Sequence, residues 1–280
     1  MKRIADREHL RRIATGLTGI AVVVVTYSYL RHLAVEIAVA VIGLAAYFEY
    51  LRILLSPRNK ARLRTAKICV GLAAAAIFLS PLQLSHIWAY GLLIAFTLGI
   101  YRFSETDPAQ VQDHRHHLDD LFVSGFGLLY IIGFLGFLPE IHALPDGPVW
   151  LVGLVAMIWA TDIAAYYGGH AFGRHKLAPA ISPGKTLEGS VAGLLGAIAV
   201  GYAMHTRWLP WTSVAKVAAL GFLTSVISQL GDLFESLLKR VVGVKDSGIL
   251  LPGHGGMLDR FDSLILAAPF YYLLLRLWVV

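Results

Sequence analysis

The chain has 280 residues, of which 57% are hydrophobic and 15% charged, with a formal net charge of +6. Soluble domains carry about 25% charged residues, so this balance excludes an ordinary water-soluble enzyme and points to an integral membrane protein. The single cysteine, Cys69, excludes an internal disulfide, and the excess of positive charge reads as membrane sidedness rather than nucleic-acid binding.

A basic stretch from Met1 to Arg12 precedes an apolar run over 13–30. That run is about span length and no small-residue cleavage site follows it, so it reads as a retained first span rather than a signal peptide. The next run, 33–55, carries Glu49 and Arg52 three apart, a spacing that pairs them on one helix face. A basic connector follows with Arg58, Lys60, Arg62, Arg64 and Lys67. Spans are predicted at about 68–82 and 87–103, then a polar segment with His114, His116 and His117. No metal-ligand motif accompanies these histidines, and they read as a solvated loop. Further spans are predicted at about 120–138, 148–167, 187–205 and 213–235, and from 263 onward. Polar loops cover 168–185 and 236–262.

The predicted fold is all-α: one polytopic membrane domain over 1–280, a bundle of about nine transmembrane helices. Spans over 13–138 are the expected scaffold and 148–280 the expected catalytic half. With a cytoplasmic N-terminus, 20 of the 24 Lys and Arg residues fall on the cytoplasmic side; only Arg31, Arg207, Lys216 and Arg276 fall near the other. The same alternation puts both polar loops on the cytoplasmic face, where they are expected to form one active site.

Asp162 within the sixth span and Asp232 near the end of the eighth are functional candidates, because ionisable groups in spans are costly. On a helix, Asp232, Glu235, Ser236 and Lys239 share a face. Asp232, Asp246, Asp259 and Asp262 together give four carboxylates at the mouth of one site. Such a cluster suits Mg²⁺, which takes oxygen ligands from one or two carboxylates plus substrate phosphates. Lys239, Arg240, Lys245 and Arg260 offer counter-charge. The turn Pro252-Gly253-His254-Gly255-Gly256 can approach a ligand closely, and successive amides in such turns bind anions. The upstream loop carries Tyr166, Arg174, Lys176, Ser182, Lys185, Thr186 and Glu188. Its Ser182-Pro183-Gly184-Lys185-Thr186 lacks the full phosphate-loop spacing, since position 179 is Pro, and is not an NTPase loop. Glu188 also suits a helix start.

Ser236, Lys239-Arg240, Lys245-Asp246, Gly248, Pro252, His254-Gly255-Gly256 and Asp259-Arg260-Phe261-Asp262, at these spacings, resemble the signature of phosphatidate cytidylyltransferases. No position of that stretch departs from it. Asp162, Tyr166, Gly173-Arg174, Lys176-Leu177, Pro179, Ile181-Ser182-Pro183, Lys185-Thr186 and Glu188-Gly189 are also similar to this family. The resemblance covers the C-terminal half; the N-terminal half is similar in hydropathy only.

The resemblance implies that CTP and phosphatidic acid give CDP-diacylglycerol and pyrophosphate at the inner membrane. It further implies Mg²⁺, with a second monovalent or divalent cation as an option, and a homodimer. Asp232 and Asp259 are then the leading metal ligands and Asp246 and Asp262 the second candidates. Ser236, Lys239, Arg240, Lys245, His254 and Arg260 form the catalytic set. Asp162, Tyr166, Arg174, Lys176, Ser182, Lys185, Thr186, Glu188, Gly255 and Gly256 form the substrate-binding set. Which loop takes CTP and which the lipid stays open. Two alternatives are a CTP-dependent polyprenol or phytol kinase and an ion-coupled transporter. The transporter predicts inverted repeats, and the motifs show no such symmetry.

Overall fold

The computed structural model describes residues 32–55, 119–120, 122–248 and 255–279. The predicted spans at 13–30, 68–82 and 87–103 lie outside these residues, as do His114, His116, His117 and His254. The described chain is mostly helical. Its elements are α1 (His32–Leu54), α2 (Phe122–Ala143, with a π-helical turn over Leu128–Gly133) and α3 (Gly147–Phe172). They continue with β1 (Lys176–Ala178), β2 (Ser182–Thr186), α4 (Leu187–Arg207), α5 (Val214–Val241) and α6 (Leu258–Trp278). Among the described residues six helices are long and apolar enough to cross a membrane, which makes this a multi-pass membrane protein.

These six match the spans predicted at 33–55, 120–138, 148–167, 187–205, 213–235 and 263 onward, but several run further. The helix predicted to stop at 235 continues to Val241, and the one predicted to start at 263 starts at Leu258. Polar side chains at these ends do not oppose helical backbone, so a hydropathy boundary falls short of the helical one. The predicted loop at 168–185 is also more ordered than expected. Its first five residues complete α3, and β1 and β2 then pair antiparallel, with Lys176 opposite Thr186.

The chain divides into two compact units. The first takes Met1–Gly136 and Asp246–Arg260; the second takes Phe137–Lys245 and Phe261–Val280. In the first unit, α1 buries Val35, Val39, Ala46, Tyr47, Tyr50 and Leu51. Gly127 lies where a Cβ would run into the Tyr50 ring, and the Tyr47 hydroxyl donates to the Ser124 carbonyl oxygen at 2.9 Å. α1 and the start of α2 therefore pack backbone to ring.

In the second unit, small residues let the helices approach closely. A Cβ on Gly193 would stand 3.0 Å from the Thr161 carbonyl oxygen, and one on Gly196 2.8 Å from that of Ala160. Gly201 and Gly221 hold α4 against α5 in the same way, opposite the carbonyl oxygens of Val217 and Ala197. Association in lipid relies on such close packing rather than on the hydrophobic effect. The Thr161 hydroxyl, fully buried, donates to the Met157 carbonyl oxygen at 2.8 Å and lies 3.0 Å from Ser225 Oγ. An interhelical contact of this kind is worth roughly 0.6 kcal/mol. Pro269 removes one backbone donor inside α6, which membrane helices tolerate when neighbours compensate.

The two ends of this unit differ in character. Trp208 and Trp211, exposed in the turn from α4 to α5, mark one end together with Lys216, whose Nζ donates to the Trp278 carbonyl oxygen at 2.5 Å. Exposed tryptophans at one level are typical of a membrane interface. The opposite end holds the hairpin and the C-terminus of α5, where the charged candidates collect.

Candidate active site

Thr186 builds the junction between hairpin and helix. It ends β2 and caps α4, accepting the Gly189 N–H at 3.2 Å, as short hydroxyl side chains do at helix starts. Glu188, in the first turn, reaches back to the other side of the hairpin. Its carboxylate accepts the backbone N–H of Arg174 at 3.0 Å and of His175 at 3.2 Å, and lies 2.6 Å from His175 Nδ1. Glu188 thus ties the α3–β1 turn to α4, a larger task than favouring a helix start. The hairpin turn is tied to α5 as well: Arg240 Nε donates to the Ile181 carbonyl oxygen at 3.1 Å.

This framework carries Lys185 to α5, where its Nζ pairs with Asp232 Oδ2 at 2.6 Å. Ser236, one turn on, lies 3.4 Å from Asp232 Oδ1. The upstream loop and the end of the eighth predicted span, read as partners from sidedness, meet here inside one unit. Gly231 presses α5 against α6; a Cβ there would stand 2.8 Å from the Asp262 carbonyl oxygen. That approach brings Asp262 into the electrostatic field of Asp232. Asp162 on α3 acts on both, and Asp262 also feels Lys239. Lys239 pairs in turn with Glu235, a buried acid 2.5 Å away on the same helix face.

The donor set is therefore Asp162, Asp232 and Asp262, with Lys185 and Lys239 as counter-charge. The carboxylate oxygens are the kind of ligand that a hard cation takes. Among the described residues, no three His, Cys, Asp or Glu side chains already converge at metal-binding spacing. A hard cation such as Mg²⁺ would need water and substrate phosphate besides one or two of these carboxylates.

Of the remaining second-loop candidates, Asp246, Gly255, Gly256, Asp259 and Arg260 lie in the first unit and Lys245 in the second. Asp259 Oδ2 accepts the N–H of Ser247 at 3.0 Å and of Gly256 at 2.9 Å. Asp259 thus folds the turn onto itself, with Gly255 at φ 84°, a left-handed conformation that favours glycine. The Gly256 amide, expected to bind substrate, is committed to Asp259. Asp246 and Lys245 are exposed at either side of the unit boundary, and Arg260 is exposed next to Asp259. In the upstream loop, Arg174 and Lys176 are exposed and Ser182 is half-buried. Tyr166 is exposed on α3 and stacks on His170, with ring centroids 6.5 Å apart.

Sequence reading missed the task of Glu49. It was matched with Arg52 on one helix face, yet both reach the second loop. Glu49 Oε2 accepts the Ser247 hydroxyl at 3.0 Å and the Leu258 N–H at 2.9 Å. Arg52 Nη2 lies 3.5 Å from the Ser247 carbonyl oxygen. An acid inside an apolar run was the available signal.

The sequence is similar to known cytidylyltransferases. The sequence pattern of the cytidylyltransferase family matches residues 10–278. The Bacillus subtilis (strain 168) protein named phosphatidate cytidylyltransferase is 35% identical over 271 residues, which cover 96% of this chain and 98% of that protein. The protein of the same name from Brucella suis biovar 1 is 48% identical over 129 residues, 46% of this chain and 47% of its own. That from Synechocystis sp. is 45% identical over 164 residues, 56% of this chain and 54% of its own. The matched stretches thus span about half of the last two proteins and nearly all of the first. The pattern covers almost the whole chain, including the N-terminal half that carries no motif of its own, and this chain belongs to the cytidylyltransferase family.

Proposed function

We propose that this chain is a phosphatidate cytidylyltransferase that joins CTP to phosphatidic acid at the cytoplasmic face of the inner membrane. The observation that carries the reading is the Lys185–Asp232 pair, 2.6 Å apart, set among Asp162 and Asp262 at the charged end of a membrane bundle. One substrate is soluble and the other has its phosphate at the bilayer surface, and a site at a bundle end serves both. Bound Mg²⁺ supplies charge neutralisation to the triphosphate and the leaving pyrophosphate.

A phosphate oxygen of the lipid attacks the α-phosphorus of CTP. A new P–O bond forms, the bond to the bridging α–β oxygen breaks, and pyrophosphate departs with that electron pair. The nucleophile is already anionic at neutral pH, so no strong general base is required. Alignment and electrostatic stabilisation then provide the acceleration. Asp232 and Asp262 are the metal ligands this reading favours in the second unit, with Asp162 beside them. Asp259 and Asp246 serve the same charge role from the signature turn. Lys239, Arg240, Lys245 and Arg260 neutralise CTP phosphates and the leaving group. Ser236 adds a hydrogen bond, and His254 belongs to the signature turn. Arg174, Lys176, Ser182, Lys185 and Thr186, on and beside the hairpin, serve the substrate phosphates, with Tyr166 on α3 as a further substrate contact. The family resemblance supports a homodimer.

Labelled CTP tests the reaction. With purified protein and phosphatidic acid, an α-phosphate label is expected in the lipid product, with pyrophosphate released. Label entering the lipid from the γ-phosphate instead would identify a kinase and overturn the reading.

Glu188 gives a separate expectation. Replacing it with Ala frees the Arg174 and His175 amides and loosens the hairpin that presents Lys176 and Lys185. The apparent KM for CTP or for phosphatidic acid is expected to rise several-fold, with a smaller change in kcat. Steady-state kinetics on both substrates check this, and two unchanged KM values would remove Glu188 from the site.

A further inference from the structure

Glu49 is an acid within an apolar helix, 4% exposed. Burying such a group is costly unless hydrogen bonds compensate. Its compensation comes from the signature turn, 198 residues away in sequence. One oxygen, Oε2, takes the Ser247 hydroxyl at 3.0 Å on one side of the turn and the Leu258 amide at 2.9 Å on the other. Two glycines of the signature are shaped around the same group. A Cβ on Gly248 would enter the Glu49 carboxylate, and one on Gly256 would collide with Ser247 Oγ and stand 2.5 Å from Glu49 Oε2. Ser247 is held at three points: its hydroxyl by Glu49, its amide by Asp259 and its carbonyl oxygen by Arg52.

We infer that Glu49 is a positioning residue for the reaction, holding Ser247 and Gly248 together with Gly256 and Leu258 from helix α1. The inference rests on the proposed function only in taking the signature turn to serve cytidylyl transfer. It assigns an active role to the first unit, whose helices otherwise read as scaffold. It also gives two signature glycines a reason other than ligand approach: they make room for a carboxylate.

The test uses the purified full-length protein in detergent, with two readouts. In Glu49→Ala, the amides of Ser247, Gly256 and Leu258 are expected to exchange hydrogen faster than in wild type, while amides of α3 to α5 are unchanged. In the same variant, kcat/KM for CTP is expected to fall about 10- to 100-fold, the range expected when buried donors lose their acceptor. Glu49→Gln keeps a side-chain acceptor oxygen and is expected to recover most of the activity. Unchanged exchange at the three amides would overturn the inference. So would faster exchange with unchanged kinetics, because the turn would then be irrelevant to the reaction. Wild-type protein that makes no CDP-lipid would sink the proposed function instead, and the exchange data would still report whether Glu49 shapes the turn. Should Glu49→Ala fail to fold, Ser247→Ala replaces it, removing one of the two bonds. The same two readouts then apply, with smaller expected changes, and wild-type values in either would count against the role.

Discussion

Asp232→Asn is expected to lower CTP-dependent formation of CDP-lipid about 1,000-fold, with the protein still folded. The substitution keeps size and removes charge. Lys185, 2.6 Å away, loses its partner, and the field that Asp162 and Asp262 share loses its central member. A metal ligand in a phosphoryl-transfer site contributes several kcal/mol of transition-state stabilisation, which corresponds to this loss. The ion pair alone does not reach it. Its members are partly exposed, and such pairs are worth up to about 1 kcal/mol, or severalfold in rate. The measurement is therefore a discrimination by size, made on membranes at several Mg²⁺ concentrations. A large loss identifies metal and phosphate chemistry. A severalfold loss identifies a structural ion pair and would withdraw Asp232 from the metal site. Adding Lys185→Met to Asp232→Asn is expected to cost little more, because groups that act together lose their contribution together.

The parts of this protein that were legible in the sequence are those governed by composition and by local spacing. Long apolar runs give spans, and six of the predicted spans are helices here. Charges inside spans give candidates, and Asp162 and Asp232 share one electrostatic group in the structure. What was not legible depends on contacts between distant residues. The β1–β2 hairpin has strands of three and five residues with Pro183 and Gly184 inside, too short and irregular for periodicity to detect. Its position follows from Glu188 and Arg240, whose long side chains look like surface charges in sequence. Glu49 was visible as an acid in an apolar run, but a nearby arginine at helical spacing offered a local explanation. Only the folded chain brings Ser247 and Leu258 to it. Gly256 shows the same dependence: in sequence its glycine-rich turn reads as a cradle for anions, and only the folded chain shows its amide donating to Asp259.

Asp259 tests whether that internal task and metal binding coexist in one side chain. Its Oδ2 accepts the Ser247 and Gly256 amides at 3.0 and 2.9 Å, and its Oδ1 lies 3.2 Å from the same Ser247 amide. Two substitutions separate the tasks. Asp259→Asn retains a carbonyl oxygen able to accept both amides, so the turn keeps its shape while the charge is lost. Asp259→Ala removes acceptor and charge together. On the proposed mechanism the charge dominates, so both variants are expected to lose about 100-fold or more in CDP-lipid formation, with Ala only slightly worse. The apparent requirement for Mg²⁺ is expected to rise in the Asn variant. If Asn stays within a few-fold of wild type while Ala is severely impaired, Asp259 is a clamp for the turn and not a metal ligand. The metal assignment would then rest on Asp232 and Asp262 alone, both in the second unit. Near-wild-type activity in both variants would remove Asp259 from the site and leave the signature turn shaped mainly by Glu49.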